Sequence, residues 1–387
     1  MKKALATIIL PVVALSLAHR AAGQAGSMSL DAELIHVANL GDTAAVRQLL
    51  EKGANVEARD EYGATPLLLA ARYCTAEAVK LLLDRGAKIE AKDNYGSTAL
   101  LLAAEFGNTE VAKLLLDRGA NIECKNQYNS TPLLRAASCG QTEVAKLLLE
   151  KGANIEAEDK NRATAVLLAV GQRNAELLKL LLDRGAKADP HNDGAPLLRA
   201  ANNDMAEIVK LLVDRGANTE VKDEYGFTPL MREATYDDPE AVKPLLERGA
   251  NIEAESSDGS TVLLLAAEQS GRPNRAQVIK LLVEKGANTD VRDNAGFTPL
   301  MMEAQRGEVD VVKLLLEKGA SIEATGINGS TALLLAAEQG QLDTVKLLLN
   351  KGANIEAKDH EGHTALFLAT QRGKADAVKL LREKGAE

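Results

Sequence analysis

From residue 65 onward the apolar and polar positions fall into one order that repeats. Thr65-Pro66-Leu67-Leu68-Leu69-Ala70-Ala71 opens with a residue able to accept a backbone N–H as helix N-cap. Pro66 follows at the first helical position, where a missing donor costs nothing. The run predicts a short apolar helix to about Tyr73. Glu77 to Arg85 then spaces Val79, Leu82 and Leu83 along one face of a second helix. Gly86 supplies the left-handed end. Ile89 to Lys92 alternate, and Asp93-Asn94-Tyr95-Gly96 carries a turn signal. The unit is therefore helix, turn, helix, β-hairpin.

The opening segment recurs at Thr98, Thr131, Thr164, Ala195, Thr228, Thr261, Thr298, Thr331 and Thr364. Successive starts lie 33, 33, 33, 31, 33, 33, 37, 33 and 33 residues apart. A degenerate copy from about Ala32 precedes them, which makes about eleven stacked units. One such unit cannot bury its own apolar face, so the fold class is an all-α solenoid over residues 30–387.

The period, the Thr-Pro-Leu-x-x-Ala-Ala and Leu-Leu-Leu-x-x-Gly-Ala segments and the hairpin Asn-Ile-Glu-Ala-Lys-Asp-x-x-Gly resemble the ankyrin repeat. One departure is systematic. The family pattern has His after Thr-Pro-Leu, whereas this chain has Leu68, Leu101, Leu134, Leu167, Leu198, Met231, Leu264, Met301, Leu334 and Phe367. A loop-tightening hydrogen bond is lost there, and apolar contact between layers is expected in its place.

Polar substitutions mark both ends. Arg382 stands where every earlier unit has Leu or Val, so residues 364–387 read as a C-terminal capping repeat. Glu33 replaces Pro and Asp31 supplies a helix cap, so residues 30–64 read as the N-terminal one, and the array reads as complete. Three irregularities fall between residues 185 and 280. Two residues are missing around Asp189-Pro190-His191, Pro244 lies inside a second helix, and four residues are added around Ser270-Gly271-Arg272-Pro273. They are either neutral drift in tolerant loops or a bend and special contact site.

Residues 1–25 stand apart. Lys2 and Lys3 precede an apolar run from Ala4 to Ala18, and small residues follow at Gly23-Gln24-Ala25. This is the pattern of a secretory signal peptide, with an uncleaved anchor as the alternative, and its basic start suits a bacterial source. The expected location is periplasmic or secreted. Cleavage after Ala25 removes three cations and takes the formal charge from −9 to −12, which disfavours nucleic acid. Cys74, Cys124 and Cys139 are odd in number and far apart in the repeat frame, so free thiols are expected.

No nucleophile elbow, phosphate-binding glycine loop or His-Glu-x-x-His segment occurs, so no catalytic residue or cofactor is assigned. His360 and His363, with Asp359 and Glu361, look most like a metal site, but residues on a hairpin tip are usually solvated, and no metal is assigned there. Glu57, Glu90, Glu123, Glu156, Asp189, Glu220, Glu253, Asp290, Glu323 and Glu356 share one repeat position. Layers about 10 Å apart cannot share one ion between rungs. With Arg59, Lys92, Lys125, Lys222, Arg292 and Lys358 two residues on, they read as an exposed lattice of alternating charge.

Aromatics are scarce, six Tyr, four Phe and no Trp, and they are not scattered. The resemblance implies partner contacts through the hairpin tip, the residue before Thr and the end of the first helix. Tyr62, Tyr95, Tyr128 and Tyr225 share the tip position; Phe227 and Phe297 precede Thr; Tyr73, Phe106 and Tyr236 end first helices. Only Phe367 falls elsewhere. Rings excluded from thin Leu/Ala layers would also appear on the outer face of second helices, and none does. These nine are the candidate partner-binding residues, in one patch from Tyr62 to Tyr128 and another from Tyr225 to Phe297. The reading is a monomer that scaffolds a protein partner outside the cytoplasm, touching no nucleic acid and no membrane after leader removal. A secreted effector or inhibitor acting on a host or competitor protein would use the same surface.

Overall fold

The computed structural model describes residues 28–73, 76–269 and 271–386. The leader expected at 1–25 and Cys74 lie outside them. Twenty-two helices are described, paired two to a repeat, in two compact units divided between Asn154 and Ile155. The first unit holds the four pairs from Leu30–Leu40 to Thr142–Glu150, the second the seven from Ala165–Gly171 to Ala375–Glu383. No helix among the described residues is long and apolar enough to cross a membrane.

The two helices of a repeat are built differently. Pro66–Arg72 buries every residue from Pro66 to Ala71. It packs on the first helices of the repeats before and after it and on its own second helix. Its small alanines permit that approach on several sides at once. Thr109–Asp117 is one-sided, burying Val111, Ala112 and Leu115 and leaving Glu110 and Lys113 to water. The predicted caps are present, with Thr65 Oγ1 accepting the Leu68 N–H at 3.5 Å and the same bond at each later Thr that opens a first helix.

Where the family pattern has His, Leu68, Leu101, Leu134, Met231, Leu264, Met301 and Leu334 are buried in the layer contacts. Each such side chain contributes about 1.5–3 kcal/mol of apolar burial. Leu167 and Leu198 are half-buried, and Phe367 is exposed. Arg382 is exposed.

The expected β-hairpin is a tight turn. Among the described residues there is no strand, only one antiparallel bridge, Glu255 with Thr261. Elsewhere one bond closes the loop, as from Asp93 N to Ser97 O at 3.1 Å. Asp93 Oδ1 accepts the N–H groups of Tyr95 and Ser97 and fixes the tip. The turn N–H of Asn94 donates to Tyr62 O at 2.9 Å, and that of Gln127 to Tyr95 O at 3.0 Å, so successive tips are tied through backbone. Gly63 permits the approach, because a Cβ there would sit 2.4 Å from Asn94 Oδ1 and its φ is +73°.

The acidic positions are not a free charge lattice. Glu57 accepts the Lys88 N–H of the next repeat at 2.8 Å, Glu90 that of Asn121 at 2.8 Å and Glu123 that of Asn154 at 2.7 Å. Glu156, Glu220, Glu253, Asp290 and Glu323 do the same. The bases bond backbone as well. Lys92 Nζ reaches Lys125 O at 3.2 Å, and Arg292 Nη1 reaches Thr325 O at 2.6 Å. Acid and base thus each grip the main chain of the following repeat instead of each other. Spacing alone could not show this, because a backbone N–H leaves no trace in the side-chain pattern. Asp31 takes the same role, accepting the Asn55 N–H at 2.7 Å, and Ser29 is the cap of the first helix in its place.

The irregular repeats keep their helices. Pro239–Glu247 runs through Pro244 without a break. In the shortened repeat Ala195 stands where the capping Thr would be, the N-cap is Gly194 with no side-chain cap bond, and Asp189 bonds the N–H groups of Asp193 and Gly194. In the lengthened one, Asn274 N–H donates to Asp237 Oδ2 at 2.6 Å, which anchors the extra loop to its neighbour.

Glu90→Ala removes the acceptor of one inter-repeat bond. It should cost about 1 kcal/mol in thermal unfolding followed by circular dichroism, whereas Lys113→Ala on the outer face should change stability by less than about 0.5 kcal/mol. Leu101→Asp buries a carboxylate with no partner and should cost several kcal/mol, at least about 3.

Candidate functional site

The four tip tyrosines are the most exposed aromatic side chains among the described residues. Tyr62, Tyr95, Tyr128 and Tyr225 keep 52, 51, 57 and 59% of their surface open to water. Their backbones are fixed all the same. Asp60, Asp93, Asn126 and Asp223 each accept the N–H of the tip tyrosine at 2.9 Å. An ordered backbone carrying an open ring is the geometry of a contact residue, since little further freedom is lost when the ring is covered.

The ends of the first helices add to the first patch. Tyr73 and Phe106, one repeat apart, have ring centroids 6.5 Å apart at a tilt of 33°. The Arg72 guanidinium lies over both, 5.3 Å from the Tyr73 centroid and 4.8 Å from that of Phe106. Tyr62, Tyr95 and Tyr128 stand at successive tips with no ring contact among them. The first patch is therefore a row of separate tyrosines beside one cationic aromatic cluster.

The second patch is centred on Arg232. Its guanidinium lies 4.3 Å from the Phe227 ring and 5.7 Å from that of Tyr225. It is held there by Asp223, whose Oδ2 accepts from both Nε and Nη2. Tyr236 does not join this group. Its ring is half-buried and its hydroxyl donates to Asn202 O at 2.9 Å, tying it to the preceding repeat. Phe297 is half-buried against the turn of the next repeat at Gly326. The nine aromatics thus divide into exposed tips, two arginine-bridged clusters and two rings with structural contacts.

The two arginines do not stand out in the repeat pattern as contact residues. Arg232 was visible as a cation within the first-helix run Thr228-Pro229-Leu230-Met231-Arg232, where most repeats are apolar. Its reach back to the tip needs the fold.

The other chemical candidates resolve differently. His363 pairs with Asp359 at 3.2 Å and stacks on Phe367 with centroids 4.3 Å apart, so its ring has a packing role. Cys124 and Cys139 are free thiols. Cys124 is buried beside Thr98 Oγ1 at 3.1 Å, and burial pushes its thiol up to about 11. Cys139 is exposed.

The family model described as ankyrin repeats (three copies) matches residues 31–93, 91–159, 166–256, 230–326 and 323–387. No curated protein matches the chain.

The two described thiols should be separable by a brief iodoacetamide pulse at pH 8, read by peptide mass spectrometry. Cys139 should be labelled and Cys124 protected until the chain unfolds. Because folding raises the Cys124 thiol, its contribution to stability is complete below the unfolded value near 9 and is lost as pH rises toward about 11.

Proposed function

Because the chain belongs to the ankyrin-repeat family, we propose that it binds a protein partner outside the cytoplasm through its turn tips and the exposed ends of its first helices. Ankyrin repeats generally mediate protein–protein interaction. The observation that carries the reading here is the row of tip tyrosines, each more than half exposed on a backbone fixed by an Asx turn. Tyrosine brings a large contact area with few rotatable bonds, so it serves as an interface anchor. The guanidinium clusters at Arg72 and Arg232 offer cation and ring together, which suits acidic and aromatic side chains of a partner.

The reading assigns no catalytic step; its mechanism is preorganisation, with one chain acting as a monomer. The basic start and apolar run of residues 1–25 support export, and the net charge of −9 argues against a nucleic-acid partner.

Two measurements test it. The triple change Tyr62→Ala, Tyr95→Ala, Tyr128→Ala should leave the thermal midpoint unchanged and weaken capture of a partner from envelope or medium fractions at least tenfold, or about 1.4 kcal/mol. Equal capture by wild type and mutant would remove the tips from the interface. N-terminal sequencing of protein recovered from those fractions should begin at Gly26, and an intact Met1 would overturn the exported reading.

A further inference from the structure

Two repeats break the alanine rule of the first helix. Glu233 and Glu303 occupy the position held by Ala70, Ala103, Ala136, Ala169, Ala200, Ala266, Ala336 and Ala369. Both glutamates are fully buried, each at 0% exposure. An ionised carboxylate there needs a cation.

Glu303 has one from within the chain. Arg275 Nη1 bonds Glu303 Oε1, and its Nη2 bonds Glu308 Oε1 at 3.0 Å. Arg306 adds a second guanidinium to Glu303 Oε1 at 3.0 Å. A side-chain cation thus bridges the buried glutamate to Glu308, the N-cap of the second helix.

The pocket at Glu233 has the same frame and no such cation. Asp238, five residues on and again the N-cap of the second helix, corresponds to Glu308. Tyr236 stands where Arg306 does. Met205, eleven residues before Gly216 as Arg275 is before Gly286, stands in place of the bridging arginine. Beside Met205 is a third acid, Asp204. Neither carboxylate oxygen of Glu233 has a hydrogen-bond partner. No lysine or arginine among the described residues pairs with Glu233, Asp238 or Asp204.

We propose that Asp204, Glu233 and Asp238 bind a calcium ion, which takes the bridging place that Arg275 fills two repeats on. The three carboxylates offer ligand oxygens within 4.8 Å of one another, about twice a calcium–oxygen distance of roughly 2.3–2.6 Å. An all-oxygen set disfavours zinc, and the tighter octahedron of magnesium would require the three to close in. Glu233 is sealed, Asp238 is half-buried and Asp204 is exposed, so water completes the shell from the outer side and the ion has a route in. Asp238 keeps one oxygen for the ion, because its Oδ1 accepts the Glu240 N–H at 2.9 Å. Without an ion, burial and the charges of Asp238 and Asp204 push the Glu233 carboxyl up to about 9.

The chain supplies its own controls. Glu233→Ala installs the residue that eight other repeats carry, so the variant should fold. Met205→Arg installs the guanidinium used at Arg275. Calcium-45 equilibrium dialysis and thermal unfolding should be run on the leader-free chain, after chelator treatment, with calcium or magnesium added. Wild type should bind one more calcium per chain than either variant. Calcium should raise its unfolding midpoint by several degrees, magnesium should raise it less, and neither variant should respond. Equal calcium stoichiometry in wild type and Glu233→Ala, or a midpoint unmoved by calcium in wild type, would overturn the proposal. A Met205→Arg chain that still binds the additional calcium would overturn the bridging role.

Discussion

The stacking of the repeats depends on a first helix that is apolar nearly all round. A seven-residue segment such as Pro66–Arg72 buries six of its residues, and no single repeat has enough surface to cover them. Only neighbours can, so order in one repeat is conditional on the next. That dependence explains why the positions between repeats carry so much polar chemistry. The carboxylate at the Glu90 position and the base at the Lys92 position each bond main chain one repeat on. They set the register in which the apolar faces meet, a task the leucines cannot perform because apolar contact has no direction.

The same dependence separates what was legible in the sequence from what was not. Helices, caps and repeat boundaries could be read because Thr, Pro and Gly act locally: Thr65 caps the helix that begins beside it. The aromatic positions could be read because they share fixed places in the repeat. The partners of Glu57 and Asp31 could not, since each is a backbone N–H in another repeat. The β-hairpin expected from alternation became a turn because Asp93 draws the nearby N–H groups onto its own side chain. Glu233 and Glu303 were visible as departures from alanine. Only burial shows that they are costly, and only the position of Arg275 shows that they differ from each other.

The exposed and buried chemistries both depend on the same layers. At the tips, backbone bonds hold Tyr62 and Tyr95 so that open rings project from a fixed base. Inside, layers that exclude water raise the cost of any charge they admit, as with Glu303 between its two arginines. Rigid layers hold the tips in fixed positions, and they also give the few buried acids their consequence. A surface glutamate exchanged for alanine is a small event; Glu303 exchanged for alanine would leave Arg275 in a dry interior with one acid fewer to balance it.

Chain length is tolerated unevenly, and the inter-repeat carboxylate bond shows where. Four added residues near Gly271 fall between two helices, and Glu253 still reaches the Asn288 N–H at 2.7 Å. Two residues lost near Asp189 fall in the turn, and that acid bonds its own loop. Growth between helices therefore leaves the carboxylate bond to the next repeat in place, while change in the turn alters the grip itself. Added length between the helices thus spares the bond that sets register, whereas length lost in the turn removes it.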